Sequence, residues 1–162
     1  MQAIILDSNA VIMHGRSFPD RVRTTVDGGR TVILPGAVKE ELVDDVLAAE
    51  ESPPNHRESA RAIQDLIDEG VLAVRRPDFE QYSNVIDEAR RRIAGESLPE
   101  HAVKADQYIP ALVCERAREG PVCLVTADGK LQKVVRAIVE RRDVSDSVRI
   151  KQPMTVLSTS SE

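Results

Sequence analysis

The sequence predicts an α/β fold, a three-layer α/β/α sandwich around a central, mostly parallel sheet of about five strands. Two observations predict it. Short, nearly continuous apolar runs recur along the chain, and amphipathic helical patterns fill the intervals between them. Such runs suit strands of a parallel sheet, because helices cover both of its faces. The alternation of strands and helices is typical of one layered α/β domain.

Four apolar runs are the strongest strand candidates, and two weaker candidates follow near the end of the chain. The four are Ala3–Leu6, Thr31–Leu34, Val71–Val74 and Val122–Val125. The weaker ones are Ser147–Ile150 and Met154–Leu157. Together they supply enough strands for the predicted sheet.

Helices are predicted where apolar residues recur at helical spacing. The clearest stripe joins Val38, Leu42, Val46 and Ala49. The predicted helices are Pro19–Val26, Pro35–Ala49, Glu58–Glu69, Phe79–Ala94, about His101–Arg118, and Lys130–Arg141. The predicted domain spans residues 1–157, with a helical elaboration at about 50–100, and residues 158–162 are predicted to be a disordered tail.

Composition narrows the class of protein. The 162 residues include 22 basic and 27 acidic ones, a net charge of −5, which argues against coating nucleic acid through a global positive field. Two Phe, two Tyr and no Trp make base stacking on an aromatic platform unexpected. The three histidines lack metal-ligand spacing and are interpreted as surface or loop residues. With no membrane-length apolar run and no signal peptide, we expect a cytoplasmic protein without membrane contact.

Acidic residues follow two of the predicted strands. Ligands of an open parallel sheet bind outside the carboxyl ends of the strands. Asp7 directly follows the first strong strand candidate, and Asp128 ends the Thr126–Asp128 segment that follows the fourth; each could also cap a helix. Glu41 borders the apolar stripe of its predicted helix. Asp106 lies on the apolar side of its predicted helix, and a structural salt bridge to an arginine is the alternative to a role in a site. Pro110 either kinks that helix or makes it begin nearer Asp106.

Four acids that converge on one edge of a sheet would repel each other unless a divalent cation is bound. Oxygen ligands without His or Cys favour Mg²⁺ or Mn²⁺ over zinc. The sequence therefore predicts a site for one or two such ions.

Four segments, in this order, resemble the PIN domain nucleases, including their VapC-like members. They are Ile4–Asn9, Ile33–Leu42, Ala105–Ile109 and Val125–Leu131. The family's glutamate immediately precedes a leucine, which selects Glu41 over Glu40. The resemblance implies a parallel sheet between helices and a metal-dependent endoribonuclease that hydrolyses RNA phosphodiester bonds.

The resemblance also implies roles for individual residues. The metal ligands, and so the catalytic residues, would be Asp7, Glu41, Asp106 and Asp128. Three residues would orient these acids, or act only as helix caps: Ser8, Asn9 and Thr126. Four cations could bind the RNA: Lys130, Lys104, Arg16 and Lys133. The basic clusters Arg75–Arg76 and Arg90–Arg92 are interpreted as solvated faces.

Two biological roles stay open for such a nuclease. One is a VapC-type toxin held by a small antitoxin protein, and the other is an RNA-processing enzyme; a homodimer is expected from the family. Two other classes of function remain as alternatives. One is a non-catalytic PIN-like scaffold that binds RNA or protein. The other is a haloacid-dehalogenase-like phosphatase, which Asn9 disfavours because that family has an aspartate there.

Overall fold

The sheet lies at the centre of the molecule and its strands are all parallel. The computed structural model describes residues 2–94 and 106–153. The strand order is β3-β2-β1-β4-β5. The strands are β1 (Ala3–Leu6), β2 (Thr31–Pro35), β3 (Leu72–Arg75), β4 (Val122–Val125) and β5 (Val148–Lys151). The predicted fold class is confirmed.

Helices form a layer on each side of this sheet. They are α1 (Ser8–Ile12), α2 (Phe18–Asp27), α3 (Gly36–Lys39), α4 (Asp45–Ala48), α5 (Pro54–Asp68), α6 (Ser83–Ala94), α7 (Ile109–Ala117) and α8 (Gly129–Arg141). Helices α1 to α5 pack on one face, and α6 to α8 pack on the other. After β3 the chain crosses to the other face of the sheet, where α6 and α7 lie. It then returns to the sheet as β4, which pairs with β1 on the edge away from β2.

Alternate residues of each strand point to opposite faces, so a continuous apolar run feeds two cores. In β1, Ile5 packs with α6 to α8, whereas Ile4 and Leu6 pack with the other helical layer. All three are fully buried. The apolar character of the strand candidates thus follows from burial on both sides.

The helix predicted at Pro35–Ala49 contains an irregular turn. Between α3 and α4, Glu40–Asp44 forms a π-helical turn, which widens the helix by one residue. The helix predicted to begin at Glu58 instead begins at Pro54, since proline fits the first turn of a helix. The region at about 50–100 also contains β3, so it supplies a strand of the central sheet in addition to helices.

Pro110 settles how the segment around Asp106 folds. It occupies the first turn of α7, and Asp106–Tyr108 forms a separate 3₁₀ turn before that helix. The predicted start of this helix at about His101 is therefore wrong, and of the two alternatives left for Pro110 the later start near Asp106 is confirmed, because proline lies in the first turn and does not kink the helix. The strand candidate Met154–Leu157, the tail 158–162 and the first residues of the predicted helix at 101 lie outside the described residues.

In the parts of the chain that the structure describes, no helix is both long enough and apolar enough to cross a membrane.

Candidate functional site

Asp7 lies at the carboxyl end of the central strand β1 and is buried. Its Oδ1 accepts a hydrogen bond of 2.8 Å from the Ala10 amide, which caps α1. Its Oδ2 accepts a short hydrogen bond from the Thr126 hydroxyl. Burial raises the pKa of Asp7, these two hydrogen bonds lower it, and the charge of Asp128 raises it again. The carboxyl group is therefore fixed at both oxygens.

Thr126 connects the ends of β1 and β4. Its hydroxyl donates to Asp7 and accepts a 3.0 Å hydrogen bond from the Asp128 amide. Because a hydroxyl has one proton, the acceptance from Asp128 leaves that proton for Asp7. The Thr126 carbonyl accepts a 2.9 Å hydrogen bond from the Gln132 side chain. Thr126, which is fully buried, thus joins two acids that are far apart in sequence.

Asp128 follows β4 and begins α8. Its Oδ1 accepts from the amides of Lys130 at 2.9 Å and Leu131 at 3.2 Å, so it is the N-cap of α8. Asp7 and Asp128 therefore each cap the helix that follows their strand, and the two strands are neighbours. The capping role that the sequence left as an alternative is present at both residues, and it does not exclude a second role.

Asp106 brings a third carboxyl group into the electrostatic field of the first two. Its pKa is raised to about 6, chiefly by burial and then by the negative charges of Asp7, Asp128 and Glu41. The charges of the other three predicted acids therefore all act on Asp106. Glu41 lies in the π-helical turn after β2 and is exposed, in contrast to the predicted position beside the buried stripe.

In the part of the chain that the structure describes, these carboxyl groups influence one another by charge but are not grouped as ligands of one metal ion. Among residues 2–94 and 106–153, no three His, Cys, Asp or Glu side chains are grouped closely enough to hold a metal ion. The donor set nevertheless fits a hard divalent cation, because it consists of carboxylate oxygens. Burial is the main cause of the raised pKa of Asp106, and the negative charges of Asp7, Asp128 and Glu41 add to it; a bound positive charge would offset these contributions.

The other predicted site residues divide by position. Ser8 is partly buried and Asn9 is exposed, both in the first turn of α1. Lys130 and Lys133 are exposed on α8, and Arg16 is exposed in the turn after α1. Lys104 lies outside the described residues.

Sequence reasoning missed Arg76 as a residue of this edge. It follows β3, and its side chain packs over Gly36, where an added Cβ would lie 2.6 Å from three Arg76 atoms. Its guanidinium also pairs with Glu40 at 2.5 Å. The contact between Arg76 and Gly36 joins residues 40 positions apart in sequence, so no local sequence pattern could reveal it.

Sequence reasoning also missed Phe79, because the small number of aromatic residues argued against an exposed aromatic contact. Its ring is 47% exposed and packs edge-on against Tyr108, with 5.5 Å between ring centroids. Tyr108 belongs to the same 3₁₀ turn as Asp106. An exposed aromatic ring therefore lies beside the segment that carries a candidate acid.

An apolar groove of about 570 Å³ lies between α1 and α5. The π-helical turn that carries Glu41 contributes Leu42 to its lining. Val11 and Ile12 line one wall, and Leu42 and Ile63 line the other.

From its sequence context, His14 is interpreted as a surface or loop residue. It lies in the turn after α1, but it is buried and its side chain bonds the Pro153 backbone, so it is not a surface residue. Its burial reflects long-range packing by the segment after β5.

The chain matches the model of a known protein family. The sequence model of the family described as Halobacterial PIN domain matches residues 1–162. No curated protein sequence matches the chain.

Proposed function

Because this chain belongs to the PIN domain family, whose members are generally nucleases, we propose that it is a metal-dependent endoribonuclease that hydrolyses RNA phosphodiester bonds. The observation that supports the proposal is the network that links acids at the carboxyl ends of β1 and β4. Asp7 and Asp128 are joined through Thr126, and the charges of Asp7, Asp128 and Glu41 act on Asp106.

Mg²⁺ or Mn²⁺, as one or two ions held by Asp7, Glu41, Asp106 and Asp128, would polarise the scissile phosphate and lower the pKa of an attacking water. Thr126 and the Ala10 amide fix the orientation of the Asp7 carboxylate. Each carboxylate oxygen has two lone pairs, so Asp7 can still accept a further ligand at both oxygens. The amides at the start of α8 hold Asp128 in the same way.

The residues around these acids prepare the site before any ligand binds. Gln132 holds the Thr126 carbonyl, and Thr126 in turn holds Asp7. Contacts of this kind keep a ligating carboxylate in one orientation. Ser8 and Asn9 remain proposed orienting residues, and Lys130, Lys104, Arg16 and Lys133 remain proposed RNA-binding residues.

The decisive experiment is cleavage of a structured RNA pool with and without Mn²⁺, with Asp7→Asn beside the wild type. The substitution keeps the size of Asp7 and removes its charge, so we expect metal-dependent cleavage to fall by at least about a hundredfold. Asp27→Asn is the control, because Asp27 is exposed at the end of α2 and leads to the opposite edge of the sheet. Wild-type cleavage by Asp7→Asn would refute the carboxylate site, and an inactive wild type would favour the non-catalytic scaffold.

A VapC-type toxin is the second candidate role, beside RNA processing. The apolar groove between α1 and α5 favours it, because such a groove can take an amphipathic helix of a small antitoxin. A short neighbouring reading frame whose product copurifies with the protein and inhibits cleavage would support the toxin role. The proposed homodimer is tested by light scattering of the purified chain, and cytoplasmic location by cell fractionation.

A further inference from the structure

The π-helical turn that carries Glu41 repeats at a spacing of five residues. The Asp45 amide donates its hydrogen bond to the Glu40 carbonyl, five positions earlier. The buried side chains keep the same spacing, since Val38 and Val43 are both fully buried. In a regular α-helix, residues five apart lie about 140° from each other around the axis, so they do not share a face. The backbone hydrogen bond and the core contact therefore both favour the π-helical turn.

An ion pair spans the same turn. The Lys39 ammonium donates a hydrogen bond of 2.7 Å to Asp44 Oδ1, and the Lys39 side chain is only 23% exposed. Ion pairs on an α-helix join residues three or four apart, because those residues are neighbours on its surface. Lys39 and Asp44 are five apart, so the π-helical turn brings them together and a regular α-helix would separate them. The pair thus stabilises the π-helical turn over its α-helical alternative.

The turn also determines where Glu41 lies. In a regular α-helix, Glu41 would be about 60° from the buried Val38, beside the apolar stripe that the sequence predicts. With the extra residue of the turn, Val43 takes the core position, Leu42 is only partly buried and Glu41 is exposed. The charge of Glu41 acts on Asp106 across the edge of the sheet. The π-helical turn therefore holds Glu41 away from the core and within the field of another candidate ligand.

We propose that Lys39 and Asp44 are positioning residues: their ion pair holds the π-helical turn, and the turn holds Glu41 where it can join the other three acids around a divalent cation. This inference rests on the proposed function, because it concerns the orientation of a proposed metal ligand. Lys39 and Asp44 act through the backbone of the turn and contact neither the cation nor the RNA. Replacing a residue that orients a ligating carboxylate lowers the affinity for the metal.

The test measures Mn²⁺ affinity of the intact, metal-free chain by electron paramagnetic resonance of the free ion. Lys39→Met removes a positive charge, and Asp44→Asn removes a negative one. Through charge alone, the first would strengthen cation binding and the second would weaken it. The positioning role predicts that both weaken it about fivefold, the equivalent of the about 1 kcal/mol that an ion pair near the surface contributes. The direction of the change in Lys39→Met therefore separates positioning from charge.

A second readout needs no metal. The NMR scalar coupling across the hydrogen bond between the Asp45 nitrogen and the Glu40 carbonyl carbon identifies the acceptor of the Asp45 amide. We expect this coupling to weaken in Lys39→Met and in Asp44→Asn. The double variant Lys39→Glu with Asp44→Lys restores the pair with its charges exchanged, so it should return both the coupling and the Mn²⁺ affinity to the wild-type values.

The chain offers a matched control pair. Arg23 and Glu69 form an ion pair of 2.5 Å with side-chain exposures of 43% and 49%, between α2 and the end of α5. Arg23→Met and Glu69→Gln remove the same charges as the test variants at a distance from the π-helical turn. We expect both to bind Mn²⁺ like the wild type. Thermal melts of every variant establish that it is folded.

Each outcome decides the proposal. A folded Lys39→Met that binds Mn²⁺ as tightly as the wild type, or more tightly, would overturn the positioning role even if the wild type cleaves RNA. A double variant that binds no better than the single variants would overturn it as well. A wild type that binds no Mn²⁺ would refute the proposed function and, with it, the positioning of a metal ligand; the scalar coupling would then show only whether the pair holds the turn.

Discussion

The Thr126 hydroxyl donates a buried hydrogen bond to the Asp7 carboxylate across 119 residues of sequence. The same oxygen accepts from the Asp128 amide, so one hydroxyl orients the ends of two neighbouring strands. The geometry of the candidate site thus depends on a residue that does not itself bear a charge.

Replacing Thr126 with valine tests this dependence. Valine has the same shape but no hydroxyl, so the buried Asp7 carboxylate loses one partner and the Asp128 amide loses another. We expect the free energy of unfolding to fall by about 1–3 kcal/mol and RNA cleavage to fall with it. Urea denaturation measures the first and a cleavage assay the second.

Two variants control that experiment. Thr126→Ser keeps the hydroxyl and should retain most of the activity. Thr25→Val removes a buried hydroxyl that donates only to the Arg21 carbonyl within α2, so it should cost less. If Thr126→Val were no less stable than Thr25→Val, the hydrogen bond to Asp7 would have no structural importance.

Asp128 combines a helix cap with a proposed ligand, and two substitutions separate these roles. Asparagine also caps helices, so Asp128→Asn should keep stability while it reduces metal-dependent cleavage. Asp128→Ala should lose cleavage and also about 0.5–2 kcal/mol of stability, because the amides of Lys130 and Leu131 lose their acceptor. Thermal melts and cleavage rates of both variants test this; full activity in Asp128→Asn would leave Asp128 as a cap alone.

The strands were predictable because their signal is local. Strands β1, β2 and β4 consist almost entirely of apolar residues and are buried on both faces, and the run Val122–Val125 predicted strand β4 to the residue. Asp7 and Asp128 were predictable for the same reason, since Asp7 directly follows one such run and Asp128 is the third residue after another. Their contact through Thr126 depends on the order of strands, which local pattern does not determine.

Asp106, Arg76 and Phe79 show what local pattern could not provide. Helical spacing predicted Asp106 within a helix, but Pro110 begins α7 and leaves Asp106 in a 3₁₀ turn. The position of Arg76 results from the pairing of β3 with β2 and from the missing side chain at Gly36. The position of Phe79 depends on its contact with Tyr108, a residue 29 positions away in sequence. All of these are tertiary effects.

The raised pKa of Asp106 predicts a pH dependence of stability in the metal-free protein. The folded protein holds this proton up to a pH of about 6, whereas the unfolded chain releases it near the ordinary value of 3.8. Between these values the folded state binds more protons, so stability falls as pH rises from about 4 to about 6 and then levels off. At neutral pH, an ionised Asp106 therefore destabilises the fold.

Asp106→Asn removes this ionisation. We expect the variant to be more stable than the wild type at pH 7.5 by about 1–3 kcal/mol, an upper range because Asp106 is only partly buried, and the difference should shrink toward pH 4. Urea denaturation in EDTA across this range measures the difference. Added Mn²⁺ should stabilise the wild type more than the variant. A difference that stays constant with pH would contradict the assigned charge interactions.

Gly36→Ala tests the packing of Arg76 over Gly36. The new methyl group would lie 2.6 Å from the Arg76 side chain, so Arg76 has to move and its ion pair with Glu40 is lost. An exposed ion pair contributes at most about 1 kcal/mol, so we expect the free energy of unfolding to fall by no more than that. In the Arg76→Ala background the same substitution should cost nothing, because the two substitutions remove one interaction. Urea denaturation of the three variants measures both effects, and an equal cost of Gly36→Ala in the two backgrounds would contradict the contact.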